Sequence, residues 1–132
     1  MKLNIAVIDG GFSHEKQISI KSADTVMTNL GENYFAHRIR IENSDWRFDP
    51  DGVNLQVDKN DFSVTTESGK IEFDCAMIVI HGTPGEDGKL QSYFDLIGLP
   101  YTTCNQFTST LTFNKFYCNR VLESYGFKCA KA

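Results

Sequence analysis

Leu3-Asn4-Ile5-Ala6-Val7-Ile8 runs into Asp9-Gly10-Gly11-Phe12-Ser13-His14-Glu15, and Ala76-Met77-Ile78-Val79-Ile80 runs into His81-Gly82-Thr83-Pro84-Gly85-Glu86-Asp87-Gly88. Each is an apolar β-type run followed at once by a glycine-bearing loop. Near-continuous Val/Ile/Leu runs are how buried parallel strands read. In open α/β sheets the ligand crevice lies outside the carboxyl ends of such strands. Both loops fall at that edge and carry ionisable residues, so the pair predicts a site for a small charged ligand.

Outward from these runs, strands alternate with helical patterns, which predicts a mainly parallel sheet flanked by helices. Residues 3–9 read as the first strand. Ser13 is the expected N-cap of a helix with apolar positions Ile18, Ala23, Val26, Met27 and Leu30, closed by Gly31. Tyr34 to Ile41 reads as a second strand and residues 75–80 as a third. Asp87 is expected to cap a helix to about Ile97, which Gly98 and Pro100 terminate. Tyr101 to Cys104 suits a short fourth strand. Asn105 or Thr108 then opens one or two helices carrying Leu111, Phe113, Phe116, Val121 and Leu122, and Gly126 marks their end. Between the second and third strands, residues 43–74 cluster Asp, Asn, Ser and Gly around short alternating pieces, a polar hairpin-like insertion with one wet face.

The 132 residues suit one domain, able to bury roughly two-thirds of its unfolded surface. A net charge of −4 argues against nucleic-acid or anionic-membrane partners, which need a basic face. No apolar stretch is long enough to span a membrane, and the start lacks a signal-peptide core. The four cysteines (Cys75, Cys104, Cys118, Cys129) have no zinc-type spacing and read as buried free thiols in a reducing cytosol. The chain stops soon after Gly126-Phe127, where a new strand has room to begin, and looks cut rather than finished.

Gly10-Gly11 permits positive φ and close backbone approach at a strand-to-helix turn, and N–H groups at the following helix start favour an anion. Glu15 in the first helical turn suits the macrodipole, worth a few tenths to about 1 kcal/mol, or pairs with a ligand ammonium. His81, at the tip of an apolar strand, is either structural or a hydrogen-bond donor to a carboxylate. Glu86-Asp87 reads most simply as cap and brace, with metal ligation as an alternative. Lys115 reads as a solvated lysine, with weak support for phosphate binding. His14 and His37 show no arrangement that argues for a role.

Taken together, Gly-Gly-x-Ser-x-Glu-x-x-Ile-Ser at 10–19, His-Gly-Thr-Pro-Gly-Glu-Asp-Gly at 81–88, and Leu99-Pro100-Tyr101-Thr102 leading to Lys115 resemble the amino-terminal domain of D-alanine–D-alanine ligases. The resemblance covers the chain except 43–74. It implies a small Rossmann-like (pre-ATP-grasp) domain over residues 1–125, with 126–132 starting the connection to ATP-grasp domains beyond this chain. It also implies an ATP- and Mg²⁺-dependent cytoplasmic enzyme of peptidoglycan synthesis that joins two D-alanines through an acyl-phosphate. On that resemblance Glu15 holds the ammonium of the first D-alanine and His81 lies beside its carboxylate. Gly10, Gly11 and Gly82 shape the wall, and Lys115 reaches toward ATP phosphate. No metal ligand is expected in this chain, which alone is expected to be inactive and to hold no cofactor tightly.

The chain departs from the family pattern at Asp9, Asn114, and Thr103 with Asn105-Gln106. A D-alanine–D-lactate or D-alanine–D-serine ligase is the alternative within the family. A freestanding, non-catalytic Rossmann-like binding module is the rival outside it, and a homodimer of the full-length enzyme is open. Phe107, Phe113, Phe116 and Tyr117 are expected to form an apolar interface.

Overall fold

The computed structural model describes residues 2–130. Strand β1 (Leu3–Gly10) is an interior strand of a five-stranded sheet. It pairs in parallel with β2 (Tyr34–Glu42) on one side and β7 (Cys75–Ile78) on the other. The insertion supplies two strands to this same sheet. β3 (Asp45–Phe48) pairs antiparallel with β2, and β4 (Leu55–Gln56) pairs antiparallel with β3. The sheet order is therefore β4-β3-β2-β1-β7, a parallel centre with an antiparallel edge. β5 (Val64–Thr66) and β6 (Gly69–Ile71) form a separate hairpin.

Alternation along β1 sorts its side chains onto two cores. Ile5 and Val7 pack under Ala23, Val26, Met27 and Leu30 of α1 (Lys16–Asn29). Ala6 and Ile8 face the larger cluster with Leu90 and Phe94 of α2 (Lys89–Ile97). Gly31 follows α1 at φ +88°, as a closing glycine should. Ile18 does not join the α1 stripe: it is exposed on the flank of the helix.

The insertion is more than a wet hairpin. It contributes buried Phe48, Val57, Phe62, Val64 and Phe73 to the larger core, with Phe62 edge-on to Phe94 at 5.0 Å. Polar spacing hid these residues, because each apolar anchor is isolated among turn residues. The fourth strand expected at 101–104 is reduced to one bridge between Tyr101 and Ala76, because the chain turns at once into the next helix. That helix, α3 (Gln106–Phe113), is followed by α4 (Lys115–Ser124). α3 buries only Ser109 and α4 buries nothing. Residues 126–130 carry no helix or strand; Lys131 and Ala132, the end of the expected connection, lie outside the described residues.

Asp9 faces α1 with no exposed surface, clamped by Arg38 Nε at 2.6 Å and Arg40 Nε at 2.9 Å. Arg38 continues to Asp24 and to the Ile20 carbonyl of α1, and Arg40 to Asp51. Burial opposes the charge on both guanidiniums, but these carboxylates outweigh it and raise both pKa values above the ordinary arginine range. The family departure at Asp9 is thus a charged staple between sheet and helix.

Among the described residues no helix is long and apolar enough to cross a membrane. No thiol is fully buried, contrary to expectation: Cys104 is exposed and the other three are half-buried, all unpaired. Cys104 lies in the open turn into α3, where no element covers it.

Candidate functional site

β1 ends at Gly10, φ +99°, and Gly11 follows at φ +95°. A Cβ on Gly10 would sit 2.5 Å from the Ile41 carbonyl oxygen, and one on Gly11 would sit 2.7 Å from Ile80 Cγ2. Both conformation and close approach therefore require glycine here. Five of the backbone donors around this turn are spent within the protein. Gly10 N–H donates to Ser19 Oγ, Gly11 N–H to the Ile41 carbonyl at 2.8 Å, and Phe12 N–H to the Thr83 carbonyl at 3.0 Å. Glu15 N–H donates to Ser13 Oγ at 3.2 Å, and Lys16 N–H to the Ser13 carbonyl at 3.3 Å.

Ser13 does not cap α1. Glu15 occupies the N-cap position without a side-chain cap bond, while Ser13 Oγ donates to the His81 carbonyl at 2.9 Å. That bond and Phe12 to Thr83 tie the first loop to the second. A sequence shows a serine before a helix but not that the chain turns once more before the helix begins at Lys16.

The second loop is braced from within. Glu86 Oε2 accepts the Gly82 N–H at 2.7 Å, and the Gly82 carbonyl accepts N–H groups of Gly85 and Glu86, both at 2.9 Å. Gly88, not Asp87, is the N-cap of α2; Asp87 sits one residue earlier, ion-pairs with Lys89 and accepts its N–H at 3.3 Å. Gln91, unremarked in the sequence, is fully buried and donates to the Gly85 carbonyl at 2.6 Å and Thr103 Oγ1 at 2.9 Å. Among the described residues, no group of three or more His, Cys, Asp or Glu is placed to hold a metal ion.

Glu15 and His81 come together at this junction. The Glu15 side chain is exposed, and its Oε2 lies 3.9 Å from where a Gly82 Cβ would stand, directly beside His81. His81 is half-buried, with Nε2 3.3 Å from Ser22 Oγ. Ser22 Oγ also donates to the Ile18 carbonyl at 3.0 Å, so it is held in place beside the ring. Ser22 is a partner that helical spacing alone did not reveal. Among the described residues neither Glu15 nor His81 enters an ion pair. One accessible carboxylate and one imidazole on adjoining loops suit a small ligand carrying a cation and a hydrogen-bond acceptor.

Lys115 stands apart from that pair. It is exposed at the first position of α4 and lines an open cleft of about 660 Å³ with Glu86, Thr112, Phe113 and Asn114; neither Glu15 nor His81 lines it. Asn114 caps α4 by accepting the Tyr117 N–H at 3.2 Å, and Asn105 caps α3 by accepting the Thr108 N–H at 2.9 Å. These two departures from the family pattern are helix caps.

A parallel-centred α/β domain with two glycine loops at its carboxyl edge is of the Rossmann-like fold class. A family profile described as "D-ala D-ala ligase N-terminus" matches residues 4–104, and the chain belongs to that family. It is 47% identical to a D-alanine–D-alanine ligase of Parabacteroides distasonis over 98% of this chain and 40% of that protein. It is likewise 47% identical to one of Flavobacterium johnsoniae over 96% of this chain and 40% of that protein. The chain thus spans about two-fifths of the length of the curated relatives it matches. Among solved structures, a D-alanine–D-alanine ligase from Aeromonas hydrophila superposes with a TM-score of 0.87 at 26% identity, over 99% of this chain and 49% of that one.

Proposed function

We propose that this chain is the amino-terminal, substrate-binding lobe of an ATP-dependent ligase that joins two D-alanines through an acyl-phosphate, in cytoplasmic peptidoglycan precursor synthesis. Residues 1–125 form the lobe and 126–132 lead toward the remainder. The observation that carries this reading is the Glu15–His81 pair on two hydrogen-bonded loops. A D-alanine zwitterion needs an anion for its ammonium and a donor for its carboxylate, and this pair offers both. Gly82 leaves the room between them, and Gly10-Gly11 bring the backbone wall close.

ATP supplies the phosphoryl group that activates the first carboxylate. Lys115 fits a phosphate, as an exposed cation with no ion pair among the described residues, at the mouth of its cleft. A solved relative from Bacillus anthracis, 27% identical with a TM-score of 0.73, is described as complexed with ATP. On this reading the magnesium ligands lie in the remainder of the enzyme. A D-alanine–D-serine ligase is the second reading, because a D-Ala:D-Ser ligase from Enterococcus faecalis shares this domain at TM-score 0.81 and 27% identity.

The test is D-alanine-dependent release of phosphate by the full-length enzyme. Losing a hydrogen bond to a charged group costs about 1.5–3 kcal/mol, so Glu15→Gln is expected to raise KM for D-alanine roughly tenfold to a hundredfold. His81→Ala is expected to do the same, with KM for ATP held within about twofold. Unchanged D-alanine kinetics in both variants would remove the pair from the site.

A further inference from the structure

Glu15, Ser19 and Ser22 lie at i, i+4 and i+7, along one stripe of α1. Ser22, Thr25 and Thr28 each donate to the carbonyl four residues back in their own helix. Such back-bonding is the ordinary fate of a helical hydroxyl. Ser19 does otherwise. It has no exposed surface, its Oγ donates to the Val79 carbonyl at 2.9 Å, and the same oxygen accepts the Gly10 N–H at 3.1 Å.

Three segments meet at that one oxygen. Gly10 is the last residue of β1, Val79 lies just past β7 and two residues before His81, and Ser19 is one turn from Glu15. The Ser19 N–H also donates to the Glu15 carbonyl at 3.0 Å. Through rigid backbone, the Ser19 hydroxyl connects the carrier of the carboxylate to the carrier of the imidazole. Removing it strands a buried N–H and releases the helix start from both strands. A misplacement near 1 Å from outside the chemistry can cost about a hundredfold in rate.

We propose that Ser19 is a positioning residue of the ligase: its hydroxyl sets the distance between Glu15 and His81 without touching substrate. This rests on the reading of those two residues as the D-alanine site. Lys115 and most of its cleft belong to α3 and α4, outside the Ser19 junction, so the effect is expected to fall on D-alanine.

The experiment compares Ser19→Ala, Ser19→Cys, Glu15→Gln and the Ser19→Ala/Glu15→Gln double variant in the full-length enzyme. Cysteine nearly preserves volume but is a weak hydrogen-bonder, so it separates packing from hydrogen bonding and carries the test if Ser19→Ala does not fold. Both Ser19 variants are expected to raise KM for D-alanine about tenfold, with KM for ATP within about twofold. The double variant is expected to stay within about threefold of Glu15→Gln, because Ser19 acts through a group already removed. A wild-type D-alanine KM in Ser19→Ala or Ser19→Cys, equal rises for ATP and D-alanine, or full multiplication in the double variant would overturn the proposal. If Glu15→Gln alone leaves D-alanine kinetics unchanged, the site reading itself has failed; if only the Ser19 variants are silent, that reading stands and Ser19 is structural.

Discussion

Asp9 is the residue whose position in the fold least resembles its appearance in the sequence. An aspartate closing an apolar strand beside two glycines gives no sign of its partners, yet it is a fully buried carboxylate between two arginines. Removing one partner of a buried ion pair strands the other charges, typically at a cost of about 3–5 kcal/mol. Asp9→Ala is therefore expected to lower the unfolding free energy by roughly 3 kcal/mol, read from the urea midpoint at unchanged slope. His37 shows the opposite logic. It packs between Phe48 and Phe73, each at 5.7 Å, and burial pushes its pKa below 6.5. Below pH 6.5 the unfolded chain takes up a proton that the folded imidazole resists, so its contribution is full above that pH and is lost as pH falls toward the folded pKa. The urea midpoint should fall between about pH 7 and about pH 5.5, and His37→Gln should flatten that part of the profile.

Elements were legible where hydrophobic periodicity was strong and misread by a residue or two at helix starts. β1, β2, α1 and α2 appear where alternation and three- and four-residue spacing placed them. Ser13 and Asp87 do not cap because α1 begins only at Lys16, with Glu15 in the N-cap position, and Gly88 stands in the N-cap ahead of Lys89. The two loops act as one element because their backbones bond to each other. Gly11→Ala tests that coupling: a positive φ and a contact with Ile80 oppose any side chain. Such strain is expected to cost about 1–3 kcal/mol of stability and, by shifting Phe12 and Ser13, to weaken D-alanine use in the full-length enzyme. Wild-type stability and KM together would show that the loop tolerates an ordinary residue.

Across the whole molecule, the apolar surface is uneven. Phe107, Phe113, Phe116 and Tyr117 of α3 and α4 are each about half exposed or more, as are Tyr125 and Phe127 beyond them. Large exposed apolar patches drive association. This chain made by itself is expected to self-associate with rising concentration in sedimentation velocity, and Phe107→Ser with Phe116→Ser to reduce it. A monodisperse monomer at high concentration would contradict that. The sequence by itself determined the parallel strands, the two helices over them, the two glycine loops at the carboxyl edge, and Glu15 and His81 as the residues to examine. These follow from periodicity and chain order, which are local. Only the tertiary structure decided that the polar insertion builds part of the core, that Asp9 is a buried staple, that the two loops are tied by hydrogen bonds, and that Ser19 joins both strands. Those depend on which distant groups compete for each hydrogen bond and each buried surface, and that competition is settled only when the chain is packed.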